Sequence, residues 1–284
     1  MKIGDFIVVP KNPKDTISCG TTSSGRQAGP PQDIVPEMIN GNEIWAQAWS
    51  EPNAGSDLAA IQCKATKKGD KFILNGQKTW SSRACYADWS FGLFRSDPES
   101  SRHNGLSFLL VPLKGNGIVV KSIEQLDGEP GFAEIFFDNA EVPITNLVGK
   151  EGDGWSVTMS TAGFERGLML RSPARFQATA RKLVNLYVDN KENSSPGIQE
   201  KVIQCCIDAD AYALNTYWTA CRLIQGGQIG AEASTNKIFW SELDCKMHEL
   251  AVSLLGAEAG LGIQDKKSLR AIEWIKGFLF SLAG

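Results

Sequence analysis

Three short runs carry residue types that could do chemistry. The first is Ser50-Glu51-Pro52-Asn53-Ala54-Gly55-Ser56-Asp57. Small residues after an apolar run leave backbone N–H groups free and let a phosphate approach closely. Such turns are more often only turns, so spacing alone assigns no ligand. The second run is Asn75-Gly76-Gln77-Lys78-Thr79-Trp80-Ser81-Ser82. An indole followed by two hydroxyls offers a flat ring for stacking and donors for a ring nitrogen. The plainer alternative is a hairpin whose Trp80 packs in a core. The third is Gly163-Phe164-Glu165-Arg166. On a helix, Glu165 and Arg166 project about 100° apart. A carboxylate beside a cation in a cleft is a candidate general base, although a solvated charge pair is the commoner arrangement.

Other candidates fall away. His103 and His248 are the only histidines, and neither stands in a metal-type spacing or suggests a triad, so no metal is expected. Gly20-Thr21-Thr22-Ser23-Ser24-Gly25-Arg26 lacks the P-loop lysine. The seven cysteines are odd in number and include no C-x-x-C, which argues for reduced thiols and a cytoplasmic protein rather than a disulfide scaffold or zinc cluster. Of 284 residues, 21% are charged and the net charge is -3, so neither a nucleic-acid-binding face nor an acidic arm is indicated. No apolar run is long enough to cross a bilayer, and residues 6–9 are too few for a signal-peptide core.

The elements that must position these runs divide into three parts. Residues 1–43 form a loop-rich segment with one short helix at about 33–40. Residues 44–150 read as β: Asn75-Gly76 between two extended runs predicts a hairpin, and 106–111, 118–123 and 134–138 are further strands. Residues 151–284 read as helical. Ala180, Leu183, Val184 and Tyr187 share one face. So do Val202, Cys205, Cys206, Ala209, Ala213, Thr216, Tyr217 and Ala220, and so do Met247, Leu250, Ala251 and Leu254. Ser195 before Pro196 predicts a helix start, and a fourth helix is expected at 267–282. The expected class is α+β: a middle antiparallel barrel or sandwich, then an antiparallel helical bundle.

Taken in order, the motifs say more than they do singly. Ser-Glu-Pro-x-Ala-Gly-Ser-Asp is followed by Asn-Gly-Gln-Lys-x-Trp, by Phe132-Ala133-Glu134-Ile135-Phe136-Phe137-Asp138-Asn139 with Val142-Pro143, and by Gly152-x-Gly154-Trp155. This succession resembles the acyl-CoA dehydrogenase family from about residue 36 onward, and the stretch from Gly230 to Glu242 is similar to its bacterial subgroup. The resemblance implies an N-terminal helical domain, a middle β domain and a C-terminal four-helix bundle. It implies FAD as cofactor and oxidation of an acyl-CoA thioester to the trans-2-enoyl-CoA. Trp49 and Ser50 would meet the flavin ring, Gly55 and Ser56 the pyrophosphate, with Ser56 also near the thioester. Trp80 would cover the isoalloxazine and Ser82 would stand near N5. Phe164 and Arg166 would line the substrate channel. Many members carry the base in a C-terminal segment beyond this chain; in a subgroup including the isovaleryl-CoA and long-chain enzymes, a Glu directly precedes the Arg on the first bundle helix. Glu165 occupies that position, which makes it the expected base.

The family also implies an electron-transferring flavoprotein as partner and a homo- or hetero-oligomer, dimer or tetramer. Against the family pattern, residues 1–31 do not match the helical domain, the chain stops before the segment that closes over FAD, and the Arg-x-x-Phe cofactor motif is missing near 186–204. An incomplete copy, or a non-catalytic or partner-completed subunit, is therefore the alternative expectation; an acyl-CoA oxidase is a third.

Overall fold

The computed structural model describes residues 34–165, 172–227, 232–261 and 269–282. One compact unit ends at Ala162 and a second begins at Gly163.

The first unit opens with α1 (Ile34–Asn40), where the short helix was expected. Its strands are β1 (Trp45–Ala48), β2 (Lys64–Lys68), β3 (Lys71–Ser82), β4 (Trp89–Arg95), β5 (Leu106–Pro112), β6 (Ile118–Ile123), β7 (Phe132–Pro143) and β8 (Leu147–Val148), and α2 (Gly154–Glu165) follows, its last three residues falling to the second unit. They form one open sheet in the order β6-β7-β3-β2-β4-β5-β8, with β1 beside β4. An open sheet with two buried faces fits a sandwich. It is mixed: β1 and β2 both run parallel to β4, while the remaining pairs are antiparallel. The apolar run Leu106-Ser107-Phe108-Leu109-Leu110-Val111 is buried on both sides of β5 because each face meets its own core. Phe72, Leu74, Phe94, Leu109, Ile135 and Val142 belong to one core; Trp49, Phe91, Leu93, Phe108, Leu110 and Val148 belong to the other, with Trp155 and Val157 of α2 packed against it.

The hairpin expected at Asn75-Gly76 is not there. β3 runs through that dipeptide, and the turn lies earlier, around Gly69, between β2 and β3. Asn-Gly instead marks a bulge. Leu74 faces Ala140 and Gly76 faces Phe137, so Asp138 and Asn139 of β7 share the place opposite Asn75. The Asn75 Oδ1 accepts a 2.9 Å hydrogen bond from the N–H of Asn139, whose φ is 49. Gly76 has φ 136, and a Cβ there would lie 2.9 Å from the Cys63 Cα. The positive φ that makes Asn-Gly a turn signal also suits a bulge, which composition does not distinguish.

The second unit contains α3 (Pro173–Asp189), α4 (Ile198–Ile224), α5 (Glu232–Leu255) and α6 (Leu269–Ser281). Phe176, Leu183, Leu186, Cys205, Met247 and Trp274 lie in its core. Ser172 caps a helix that begins with Pro173, but the start expected at Ser195-Pro196 moves on: Gly197, with φ 83, is the N-cap of α4. Proline, fixed near φ -65°, cannot make that left-handed turn. Tyr217 is also misplaced by the stripe. It is exposed while Tyr212, Ala213 and Thr216 are buried, because a residue one step beyond Thr216 swings about 100° off the buried face. Among the described residues, no helix is long and apolar enough to cross a membrane.

Candidate active site

After β1 the chain folds back on itself: the Glu51 N–H donates to Ala54 O at 2.9 Å, and the Ala54 N–H donates to Glu51 O at 3.0 Å. This pins the first half of the Ser50–Asp57 run as a tight turn. The Glu51 carboxylate faces inward, accepting from the N–H groups of Gln62 (2.7 Å) and Cys63 (2.9 Å) and from Lys78 Nζ (2.9 Å). Lys78 is completely buried, and its ammonium also donates to the carbonyls of Trp49 (3.0 Å) and Leu93 (2.6 Å). It lies 5.1 Å from the centre of the Phe94 ring. One cation thus joins the end of β1, the middle of β3 and the inner part of β4. Burial beside this pair pushes the Cys63 thiol up to about 12, with the nearby Lys78 charge opposing the shift.

Gly55, Ser56 and Asp57 stand exposed on the loop launched by that turn. Among the described residues, nothing accepts a hydrogen bond from the N–H of Gly55 or Ser56. A Cβ on Gly55 would meet no atom within 4 Å, so open space faces this backbone. The loop continues into a 3₁₀ turn at Leu58–Ala60, held from behind by Arg95.

The second motif joins the first directly, since the Thr79 N–H donates to Ser50 O at 2.9 Å. Lys78 faces Ile135 and Ser81 faces Ala133, so Thr79 and Trp80 form a second bulge, this time on β3. Trp80 has φ 57 and is 60% exposed, its ring edge-on to Phe132 at 5.9 Å. It is therefore not a core tryptophan. A bulky side chain in the left-handed region is held there by its surroundings at a cost of about 1–3 kcal/mol, and such residues gather at ligand sites. Ser82 is exposed opposite Phe132, while the hydroxyl of buried Ser81 has no hydrogen-bond partner. Trp49, packed edge-on against Phe91 and Phe108, leaves its buried indole N–H likewise without a partner.

Trp49, Ser50, Gly55, Ser56, Trp80 and Ser82 are thus carried by the end of β1, the loop it launches and the second half of β3, and the backbone bond from Thr79 to Ser50 ties these pieces together. Phe164 and Glu165 close α2, but their side chains, and Arg166 entirely, lie outside the described residues. Sequence reasoning passes over Lys78 and Arg95. Lys78 carried a faint signal as a cation amid apolar and β-forming neighbours; Arg95 carried none, because its partners are carbonyls.

The model of the acyl-CoA dehydrogenase middle domain matches residues 46–140, and that of the acyl-CoA dehydrogenase C-terminal domain matches residues 152–277. The chain is 36% identical over 264 residues to acyl-CoA dehydrogenase IpdE1 of Mycolicibacterium smegmatis, covering 88% of this chain and 64% of that protein. It is 34% identical over 259 residues to acyl-CoA dehydrogenase IpdE1 of Mycobacterium tuberculosis, covering 90% of this chain and 66% of that one. The chain therefore spans just under two thirds of the length of these curated relatives. In three dimensions it is similar to the ChsE4-ChsE5 complex from Mycobacterium tuberculosis, with a TM-score of 0.77 at 26% identity over 90% of this chain and 68% of that one.

Proposed function

The chain belongs to the acyl-CoA dehydrogenase family, and from that premise we propose that it takes part in the FAD-dependent oxidation of an acyl-CoA thioester to the trans-2-enoyl-CoA. The observation that carries this reading is Trp80, an exposed indole held at φ 57 on the strand whose Thr79 N–H bonds back to Ser50.

The residues present fit the cofactor. The free N–H groups of Gly55 and Ser56 face open space and suit a pyrophosphate. Trp80 offers a flat ring to cover an isoalloxazine, and Ser82 stands two residues on as a donor near N5. Trp49 and Ser50 reach the ring partly through their backbone. When bound, FAD supplies the two-electron acceptor for the substrate's β-hydrogen.

The chain's own groups do the rest. Glu165 would take the α-proton onto a carboxylate oxygen. As the family resemblance implies, Phe164 and Arg166 would line the substrate channel and Ser56 would stand near the thioester. Trp80 keeps water from the ring it covers. The domain division at 44–150 and 151–284 assigns the cofactor turn to the β part and the base to the first bundle helix. An electron-transferring flavoprotein is the proposed reoxidant. The free thiols among the described cysteines favour a cytoplasmic setting.

A second reading, a subunit completed by a partner, is favoured by the exposed apolar side chains of Ile207, Leu214 and Trp218 on α4 and by the resemblance to a two-protein complex. Absorbance spectra of the purified chain with and without FAD, followed by anaerobic acyl-CoA, separate the two. Retained flavin that bleaches on adding thioester supports turnover by this chain. Flavin that is never retained, or never bleaches, supports the partner-completed subunit.

A further inference from the structure

Among the described residues, the half-buried guanidinium of Arg95 makes no hydrogen bond to a carboxylate. Its N–H groups donate to four backbone carbonyls: Asn104 at 2.8 Å, Arg102 at 3.1 Å, Ala59 at 3.2 Å and Ile61 at 3.4 Å. Two of these acceptors lie in the chain that follows Gly55-Ser56, and two lie in the turn between β4 and β5. The same two segments are joined a second time on the surface, where the Arg102 guanidinium reaches both oxygens of Asp57 at 2.9 and 3.4 Å. Arg102, at φ 54, offers its carbonyl to Arg95 and its side chain to Asp57. The β4–β5 turn is thereby a splint lying behind the 55–61 loop, and Arg95 is the bolt through both.

We propose that Arg95 is a positioning residue for the cofactor. By clamping Ala59 and Ile61 to the β4–β5 turn, it holds the Gly55 and Ser56 N–H groups aimed at the pyrophosphate, with Arg102–Asp57 as the outer tie. The inference rests on the reading of Gly55-Ser56 as the pyrophosphate turn. A planar five-donor fork can serve four carbonyls at once, and an ammonium with three donors cannot. Desolvation, the largest influence on Arg95, pulls its pKa down without discharging a group that remains a cation at neutral pH.

The test titrates the full-length chain with FAD and, separately, with riboflavin, which has the same ring and no pyrophosphate, following flavin fluorescence. In Arg95→Lys, the FAD dissociation constant should rise about tenfold or more while that of riboflavin stays put. Arg102→Gln, at an exposed pair, should shift FAD in the same direction by a smaller factor and again leave riboflavin unchanged, and it carries the test should the lysine variant fail to fold. Equal weakening of both ligands would make Arg95 merely structural and overturn the proposal. So would unchanged FAD affinity in the variants. A wild-type chain that binds riboflavin but gains nothing from the pyrophosphate of FAD would overturn the reading of the turn itself. One that binds neither would overturn the assignment of the cofactor to this chain. In both cases the inference falls with its premise.

Discussion

The Lys78 ammonium lies 2.9 Å from the Glu51 carboxylate, and the lysine side chain has no exposure to solvent at all. Two charges taken out of water are tolerable only when their remaining donors and acceptors are satisfied. Here the ammonium has two carbonyls besides the carboxylate, and the carboxylate has two backbone N–H groups besides the ammonium. The pair thereby ties the Ser50–Ala54 turn to β3 and β4.

Lys78→Met should destabilise the β unit by about 3–5 kcal/mol, because it strands a buried carboxylate. Urea unfolding followed by tryptophan fluorescence reads this directly. Lys78→Met combined with Glu51→Gln should recover part of the loss; a double variant no better than the additive sum would mean the two residues act independently.

Cys63 makes stability depend on alkaline pH. Its folded pKa of about 12 exceeds the ordinary 9.0, so between these values the unfolded chain has released a proton that the folded chain keeps. Stability from this group is fully present below pH 9.0 and declines as pH rises toward 12, at a limiting slope of about 1.4 kcal/mol per pH unit. Comparing urea midpoints at about pH 8 and about pH 11 for wild type and Cys63→Ala checks it. The variant should lose less stability over that interval.

Gly76→Ala places a methyl 2.8 Å from the Cys63 sulfur and 2.9 Å from its Cα, at a φ of 136. The sulfur could move, but the backbone carbon cannot move without dragging β2, which begins at the next residue. A loss of about 3 kcal/mol is expected in thermal or urea unfolding. An unperturbed midpoint would show that the bulge can relax.

Glu165→Gln should retain flavin and slow its bleaching by acyl-CoA about 10²–10⁴-fold. Exchange of the substrate α-proton into deuterated water, followed by NMR, should fall in parallel. Exchange that continues at the wild-type rate would assign the base elsewhere.

Much of this arrangement is legible from residue order, and what is not has definite causes. β6 follows its expected bounds, and β5, whose largely apolar residues are buried on both faces, extends one residue beyond them. β4 passes unnoticed, since Gly92 interrupts its apolar residues. Asn75-Gly76 reads as a hairpin because the same positive φ serves turns and bulges. The Ser-Glu-Pro and Lys-x-Trp runs are joined by the Thr79–Ser50 backbone bond, but the exposure of Trp80 is set by a bulge that depends on pairing with β7. Lys78 hides because lysine is normally a surface residue, and Arg95 hides because backbone carbonyls leave no trace in sequence.

The two bulges in the β3–β7 ladder have opposite sense. Near Asn75 the surplus residue is on β7; near Trp80 it is on β3. Each alone would shift every later pairing by one step, yet together they cancel, and Ser81 opposite Ala133 returns to the alignment begun by Lys71 opposite Pro143. The ladder behaves like a message carrying an insertion and a compensating deletion. Indels at the two positions are therefore coupled: removing Asn139 or Trp80 alone would misalign the strand ends, whereas removing both would straighten the strands and leave their ends in phase, at the expense of the exposed indole of Trp80.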